Sequence, residues 1–290
     1  MGRLPALRSI TPRGRLHAQG RHCALRAAQP VDGARDRNDL TGFRSTHHPG
    51  ETFMDDLLHG KTVLVVGGSS GIGATTAAAF ARRGARVTIA SRDPRRFDID
   101  ALPGAHVRTE TLDITDTADV DAFCARAGRF DHVVISAAKT ATGAVRALPL
   151  ADAQAAMDSK FWGAYRIARA IDIAPGGSLT FVSGYLSVRP SASSVLQGAI
   201  NAALEALARG LALELAPVRV NTVSPGLIAT PLWDKLAPDA RDAMYAGAAQ
   251  RLPARRVGQP EDVANAILYL AATPYATGST VLIDGGGAIA

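Results

Sequence analysis

The chain has 290 residues, of which 47% are hydrophobic and 20% are charged, which excludes a wholly disordered protein and suffices for one large core. The net charge of +6 is uneven, because residues 1–53 hold nine Arg against four acidic residues and the remainder holds 23 basic against 22 acidic residues. The folded part is therefore expected to be nearly neutral, which argues against a nucleic-acid partner.

Cysteine content and hydropathy indicate the compartment in which the protein is expected to work. Cys23 and Cys124 have no partner at redox or metal-ligand spacing, so neither a disulfide framework nor a metal site is predicted. No apolar run reaches the roughly 18 residues that span a bilayer, and the start lacks the apolar stretch of a signal peptide. We expect a cytoplasmic protein with no membrane partner.

Residues 1–53 are rich in Arg, Pro, Gly, His and Ala and show neither helical nor strand periodicity. We expect this segment to be disordered. Its Arg content resembles that of an organellar transit peptide, but it lacks the amphipathic pattern. We interpret it as a non-functional extension, and we expect one domain over residues 54–290, which begins at Met54.

From Lys61 on, short apolar runs alternate with helical segments. The predicted strands are KTVLVV, RVTIA, HVRTETL, HVVISAA, SLTFVS, VRVNTVS and STVLID, and the predicted helices cover about 73–83, 152–172, 194–215 and 260–272. Strands that are apolar on both faces and alternate with helices indicate parallel pairing through right-handed crossovers. The sequence therefore predicts an α/β fold, a Rossmann-like doubly wound sheet with helices on both sides.

A glycine-rich turn, GGSSGIG at 67–73, follows the first predicted strand and leads into a helix. Glycines there allow the backbone to approach a pyrophosphate closely, and the helix N-terminus offers free N–H groups. The order of strand, turn and helix favours a dinucleotide site over a simple tight turn. The predicted binding residues of the turn are Gly67, Ser69, Ser70, Gly71, Ile72 and Gly73.

Cofactor choice is read at the end of the second strand, where an acidic side chain would select NAD. Ser91 and Arg92 stand there instead, and a guanidinium can grip a 2′-phosphate, so NADP(H) is predicted. The alternative is that Arg92 is a solvated loop charge. Asp113, which ends the third strand, is placed to accept from the adenine amino group, and helix capping by Thr115 or Asp116 is the competing local role.

With these features in place, residues 54–290 resemble a short-chain dehydrogenase/reductase. GGSSGIG is similar to the family's TGxxxGIG, VVISAA to its strand ending in NNAG, and VNTVSPGLIATPL to its cofactor-closing segment. RRVGQPEDVANAILYLAAT and TGSTVLIDGGG resemble its C-terminal end. The resemblance implies a seven-stranded sheet, a bound nicotinamide cofactor, and a homodimer or homotetramer assembled through the helices near 152–172 and 194–215. It adds further cofactor-binding residues, Ile114, Ala137, Pro225, Gly226, Ile228 and Thr230.

The family's four catalytic positions are where this sequence departs from the resemblance. The family's helix Asn falls on Lys160, its Ser on Gly184 beside a retained Ser183, its Tyr on Gln197 and its Lys on Asn201. Because the helix that follows Asn201 matches the family without a gap, a slip of register is not expected. The five residues predicted to carry any chemistry are Lys160, Ser183, Tyr185, Gln197 and Asn201.

Gln197 can hydrogen-bond a carbonyl oxygen but has no proton to give near neutral pH. Loss of general acid help should slow the family's reaction about 10²- to 10⁴-fold. Lys160 and Asn201 form a reciprocal exchange between two helices, so we predict that Lys160 points into the cofactor cleft. The alternative is a surface lysine whose head reaches water.

Three side chains are candidate substitutes for the missing proton donor. Tyr185 follows Gly184 directly and is the best of them, while Tyr165 lies beyond Lys160 and Lys139 follows the fourth strand. For each, packing or solvent exposure is the alternative.

The segment 232–256 is predicted to be a mobile lid over the substrate. Its large side chains at helical spacing either line an apolar pocket or pack the lid onto the core, and they are Trp233, Leu236, Met244 and Tyr245.

Three functions stay open on the sequence. The first is an NADP(H)-dependent oxidoreductase with atypical site chemistry that acts on a small carbonyl or alcohol. The second is a non-catalytic NADPH-binding sensor or partner subunit. The third is a non-redox elimination or isomerisation with Lys160 or Lys139 as the base.

Overall fold

The computed structural model describes residues 57–290. The expected extension over residues 1–53 and the expected domain start at Met54 lie outside the described residues, so both stay predictions.

Seven parallel strands form one sheet in the order β3-β2-β1-β4-β5-β6-β7. This confirms the predicted α/β fold, and each predicted run overlaps one of the seven strands. The strands are β1 Thr62–Val66, β2 Arg86–Ser91, β3 Val107–Thr111, β4 Arg129–Ile135, β5 Asp172–Val182, β6 Arg219–Pro225 and β7 Thr280–Ile283. Central strands are buried on both faces, which is why their sequences read as continuous apolar runs.

Helices cover both faces of the sheet. They are α1 Gly71–Ala81, α2 Thr117–Ala127, α3 Leu150–Met157, α4 Gly163–Ala170, α5 Val195–Glu214, α6 Pro238–Arg251 and α7 Pro260–Ala272. A π-helical turn, Asp158–Trp162, joins α3 to α4, so the predicted helix near 152–172 is continuous but locally widened. None of the helices between residues 57 and 290 combines the length and apolar character needed to span a bilayer.

Helix α2 is absent from the sequence prediction. Asp116 caps it, because its carboxylate accepts from the backbone N–H groups of Ala118 at 2.8 Å and Asp119 at 3.3 Å. This confirms a capping role for Asp116, one of the two local alternatives at this position.

Two apolar cores lie on opposite faces of the sheet. Phe80 of α1 and Ile267 of α7 are fully buried in the first, and Ile167 of α4 and Leu204 of α5 are buried in the second. Strand β1 pairs with β2 on one side and β4 on the other, so the direction in which the chain progresses through the sheet reverses between β1 and β4. Ligands of doubly wound sheets bind at the carboxyl ends of the strands beside such a reversal.

Arg219 at the start of β6 fixes the C-terminal helix to the sheet. It is 7% exposed, and its guanidinium donates to the carbonyl oxygens of Leu270 at 2.5 Å and Ala271 at 2.7 Å, with a longer contact to Ala276 at 3.3 Å. Leu270 and Ala271 belong to the last turn of α7, whose carbonyl groups lack intrahelical partners.

Replacing this guanidinium should destabilise the protein. Arg219→Met leaves buried carbonyl groups without their charged donor, so the free energy of unfolding should fall by about 3 kcal/mol in urea titrations. The exposed Arg129, paired with Asp172 at 2.9 Å, provides the matched control, since Arg129→Met should cost less than about 1 kcal/mol. Equal losses in the two variants would contradict this role for Arg219.

Candidate active site

A cleft of about 1370 Å³ opens at the carboxyl ends of the central strands. All twenty residues proposed from the sequence as cofactor-binding or catalytic lie along its walls. The lining therefore brings together residues from the ends of β1 to β6 and from helices on both faces, as expected at a reversal of strand order.

The glycine-rich turn is held tightly between β1 and β4. Gly67 has a positive φ of 82°, and a Cβ atom there would lie 2.5 Å from the backbone nitrogen of Ala137. A Cβ atom on Gly73 would lie 2.2 Å from the carbonyl oxygen of Gly67. Larger residues at these two positions would push the turn away from the strands, so the cradle depends on glycine.

The N-terminus of α1 faces this cradle. Ser70 is the N-cap residue, and its side chain makes no capping hydrogen bond. Ser70 therefore leaves the first-turn N–H groups of α1 without a side-chain cap among the described residues, and a phosphate is the ligand that such a terminus suits.

The end of β2 combines an unpaired hydroxyl with two cations. Ser91 Oγ is buried and has no hydrogen-bond partner among the described residues. Arg92 and Arg96 both line the cleft, and sequence reasoning missed Arg96. Asp93 also lies there, but its carboxylate is paired with Arg95 at 3.1 Å, which offsets its repulsion of an anion. These residues fit the ribose and 2′-phosphate of NADP(H).

Asp113 is partly engaged within its own loop. Its Oδ1 atom accepts from the backbone N–H of Thr115 at 2.9 Å and from the Thr115 hydroxyl at 2.7 Å. These hydrogen bonds hold the pKa of Asp113 below its usual range, and Arg92 adds a weaker effect in the same direction. The predicted contact with adenine would use the remaining acceptor capacity of the carboxylate.

Lys160 lies in the π-helical turn and is buried, with 6% of its surface exposed. Its Nζ atom donates to the backbone carbonyl of Ser183 at 2.7 Å and to Oδ1 of Asn201 at 2.6 Å. The side chain therefore crosses from the α3–α4 segment to the end of β5 and to α5. The structure places it in the wall of the cleft and not at the solvent-exposed surface.

Burial changes the acid–base chemistry of this lysine. Desolvation lowers the pKa of Lys160 from 10.5 to about 7, and the carboxylate of Glu205 opposes part of that change. Near neutral pH the side chain therefore populates both the ammonium and the amine.

Gln197 is 7% exposed and carries a buried Oε1 atom without a hydrogen-bond partner among the described residues. Because the ammonium of Lys160 fixes Oδ1 of Asn201 as an acceptor, the Gln197 Nε2 group faces that oxygen, at 3.5 Å. The Gln197 oxygen is the atom of this amide that is buried without a hydrogen-bond partner among the described residues. At this position the site has an amide, which cannot release a proton near neutral pH.

The Asn201 side chain packs directly against Gly184, where a larger residue would not fit. A Cβ atom on Gly184 would lie 2.7 Å from Nδ2 of Asn201, so a serine there would require the asparagine to move. Likewise, a lysine at position 201 would bring a second ammonium against Lys160. The residues at 160, 184 and 201 therefore form a mutually dependent set.

The remaining candidate donors differ in their surroundings. Tyr185 is half-buried in the cleft wall, and no described residue makes a hydrogen bond with its hydroxyl. Lys139 is exposed at the rim, where its backbone N–H donates to Ser159 Oγ at 2.8 Å. Tyr165 is 41% exposed, packs on Trp162 and lies outside the cleft lining, so it is removed as a candidate.

The predicted lid contributes three of its four large side chains to the cleft. Trp233, Leu236 and Met244 line it, whereas Tyr245 does not. Trp233 is also held in place, because its Nε1 atom donates to the carbonyl of Ile228 at 2.9 Å.

Glu205 is a buried carboxylate that sequence reasoning missed. It is 6% exposed, and its Oε1 atom accepts from the hydroxyls of Ser183 at 2.8 Å, Ser187 at 2.7 Å and Ser224 at 3.2 Å. The available signal was its position one turn after Asn201, within the buried stripe of α5. No group of three potential metal ligands occurs within residues 57–290.

Comparison with known proteins decides the family. The family model described as enoyl-(acyl carrier protein) reductase matches residues 66–287. The chain is 32% identical over 260 residues to the short-chain dehydrogenase/reductase UcsE of Acremonium sp, covering 81% of this chain and 98% of the relative. The protein belongs to the short-chain dehydrogenase/reductase family. Members of this family are NAD(P)-dependent oxidoreductases.

Two solved structures of short-chain dehydrogenases carry NADPH. One, a small-chain dehydrogenase in complex with NADPH, is 34% identical with a TM-score of 0.67 and covers 79% of this chain and 99% of its own. The other is a short-chain oxidoreductase of Pseudomonas aeruginosa PAO1, bound to NADPH and described as containing an atypical catalytic centre. It is 26% identical with a TM-score of 0.71, and the match covers 78% of this chain and 96% of its own.

The unpaired oxygen of Gln197 predicts a stabilising substitution. A buried acceptor without a partner costs about 1–3 kcal/mol, and methionine has a similar volume without that polar group. Gln197→Met should therefore raise the free energy of unfolding by about 1 kcal/mol in urea titrations at matched protein concentration. The exposed Gln154 of α3 is the control, since Gln154→Met should change stability by less than about 0.5 kcal/mol. A less stable Gln197→Met protein would refute this reading of the amide.

Proposed function

We propose that the protein is an NADP(H)-dependent oxidoreductase acting on a small carbonyl or alcohol, in which Lys160 provides the proton that a tyrosine provides in the family. The observation that carries this proposal is the buried Lys160 side chain in the cleft wall, held by Ser183 and Asn201. Ser183 and Asn201 hold the Lys160 side chain in this proposal, and Gln197 contacts the substrate.

Two groups of residues at the nucleotide end of the cleft support the cofactor assignment. The glycine cradle and the uncapped N-terminus of α1 suit a pyrophosphate, and Ser91, Arg92 and Arg96 suit a 2′-phosphate. Both related structures named above hold NADPH. NADP(H) is therefore preferred over NAD(H).

Reduction of a carbonyl requires a hydride, which NADPH supplies when bound, and a proton for the oxygen. A protonated Lys160 has three N–H groups, and Ser183 and Asn201 accept two of them. The third N–H is the one that a carbonyl oxygen in the cleft can receive. A donor whose pKa is about 7 is well matched to proton transfer near neutral pH.

Gln197 complements this donor. Its amide lies beside Asn201 and cannot release a proton, but it can hydrogen-bond the substrate and fix its orientation. Tyr185, the strongest candidate donor from the sequence, lines the same cleft but lacks a neighbouring cation in hydrogen-bond contact with its hydroxyl among the described residues. The structure therefore favours Lys160 over Tyr185 as the proton donor.

We also propose a homodimer or homotetramer assembled through α3–α4 and α5. Both surfaces expose large apolar side chains, with Trp162 46% exposed and Leu213 84% exposed. Side chains of this size on a helical face favour burial against another copy.

A substitution of Arg92 tests the proposed preference for NADP(H). Arg92→Ala should weaken NADPH binding about 10- to 100-fold, because a charged hydrogen-bonding group opposite the 2′-phosphate is lost. NADH binding should change little. Fluorescence titration of both cofactors measures this, with Arg129→Ala as the control, since Arg129 is exposed and lies outside the cleft lining. Equal weakening of NADH and NADPH binding would exclude a 2′-phosphate contact.

A substitution of Lys160 tests whether this residue is the proton donor. Lys160→Arg keeps the charge but cannot release a proton near neutral pH, so kcat on a panel of aldehydes, ketones and quinones should fall about 10²- to 10⁴-fold. The kcat of wild-type carbonyl reduction should be highest below pH 7 and should decline as the pH rises through about 7, because Lys160 then loses its ammonium form. The comparator Tyr185→Phe should lose far less activity.

Two results would redirect the assignment. A crippled Tyr185→Phe protein beside an active Lys160→Arg protein would move the donor to Tyr185. Tight NADPH binding by the wild type with no turnover of any substrate would support the non-catalytic NADPH-binding role instead.

A further inference from the structure

Glu205 and Lys160 are two buried groups of opposite charge joined by one residue. The backbone carbonyl of Ser183 accepts from Lys160 Nζ at 2.7 Å, and the hydroxyl of Ser183 donates to Glu205 Oε1 at 2.8 Å. Lys160 and Glu205 are each 6% exposed. Ser183 therefore links a cation in the cleft wall to an anion beneath it.

The anion is held in place independently of Lys160. Ser187 and Ser224 also donate their hydroxyls to Glu205 Oε1, at 2.7 and 3.2 Å. These contacts come from the segment after β5 and from β6, so the carboxylate is held in place without a direct contact with Lys160. A fixed buried charge acts on its neighbours more strongly than one that solvent can screen.

Other ionisable groups around Lys160 are less suited to act on it. Asp158, two residues earlier in the π-helical turn, is paired with Arg166 at 2.7 Å. Lys139, after β4, is exposed, and Tyr185, after β5, lines the cleft. The direct partners of the ammonium, Ser183 O and Asn201 Oδ1, are neutral. Among the described residues, Glu205 is the buried carboxylate that Ser183 connects to Lys160, and its charge opposes the lowering of the Lys160 pKa by burial.

We propose that Glu205 is a positioning residue that keeps Lys160 protonated and aimed into the cleft by acting through Ser183. This role deepens the proposed function, since it rests on Lys160 as the proton donor. Glu205 itself does not touch the substrate or the cofactor, and its carboxylate compensates for the cost of burying an ammonium.

Glu205→Gln isolates the charge. The glutamine Oε1 atom can still accept from the three serine hydroxyls, so the hydrogen-bond geometry is retained while the negative charge is removed. The ammonium of Lys160 should then be less stable relative to the amine. Glu205→Asp restores the charge on a shorter side chain and should recover part of the wild-type behaviour.

The four lysines of the chain make a direct measurement feasible. They are Lys61, Lys139, Lys160 and Lys235. Protein labelled with ¹³Cε-lysine should give four signals, and the Lys160 signal is the one lost in Lys160→Arg. Its titration reports the protonation of Lys160 without any need for turnover.

In Glu205→Gln the titration of Lys160 should move to lower pH by about 1 unit relative to the wild type. The alkaline decline of kcat/KM should move by the same amount, because less ammonium remains at a given pH. Glu214→Gln is the control, since Glu214 lies at the exposed end of the same helix and should move neither curve. Thermal melting verifies that each variant is folded.

The proposal is overturned if the Lys160 titration is unchanged in folded Glu205→Gln, or if Glu205→Asp behaves like Glu205→Gln. If Glu205→Gln does not fold, Ser183→Ala decides, because it keeps the carbonyl that Lys160 contacts and removes the hydroxyl that links to Glu205. An unchanged Lys160 titration in folded Ser183→Ala would then overturn the proposal. Failure of the proposed function is distinguishable. In that case Lys160→Arg would retain activity, while the NMR titration would still report the coupling to Glu205.

Discussion

The ammonium of Lys160, held by the Ser183 carbonyl and the Asn201 amide, organises the active-site end of the cleft. It fixes the orientation of Asn201, and Asn201 in turn faces the Gln197 amide and occupies the space above Gly184. Because the group is buried, its charge must be compensated, and the structure supplies a carboxylate one residue away through Ser183. Changing Lys160, Gly184 or Asn201 alone would leave a neighbour without its partner or in a clash.

The other end of the cleft follows from the sheet. The strand order reverses between β1 and β4, so the glycine turn after β1 and the segment after β4 approach closely enough that a Cβ atom on Gly67 would collide with Ala137. That close approach exposes backbone N–H groups at the start of α1 for a pyrophosphate. The nucleotide end of the cleft thus depends on packing without side chains, while the opposite end depends on a set of polar ones.

Most of the fold could be predicted because parallel strands are buried on both faces and read as continuous apolar runs. Helix α2 was missed since TADVDAFCARA has only three buried residues and a largely polar surface. The glycine turn could be predicted from its order after a strand, and Arg92 from its place at the end of β2. Arg96 and Glu205 could not, because no local pattern reveals that Arg96 lines the cleft or that Glu205 is buried against Ser183, which contacts Lys160.

The sequence by itself determined the fold class, the family resemblance, and the residue types that occupy positions 160, 184, 197 and 201. Only the tertiary structure decided how those residues meet. It buried Lys160, paired it with Asn201 across two helices, and linked it to Glu205 through Ser183. The physical reason is that a pKa and a hydrogen bond depend on three-dimensional neighbours and desolvation, which residues 41 positions apart acquire only when the chain has folded.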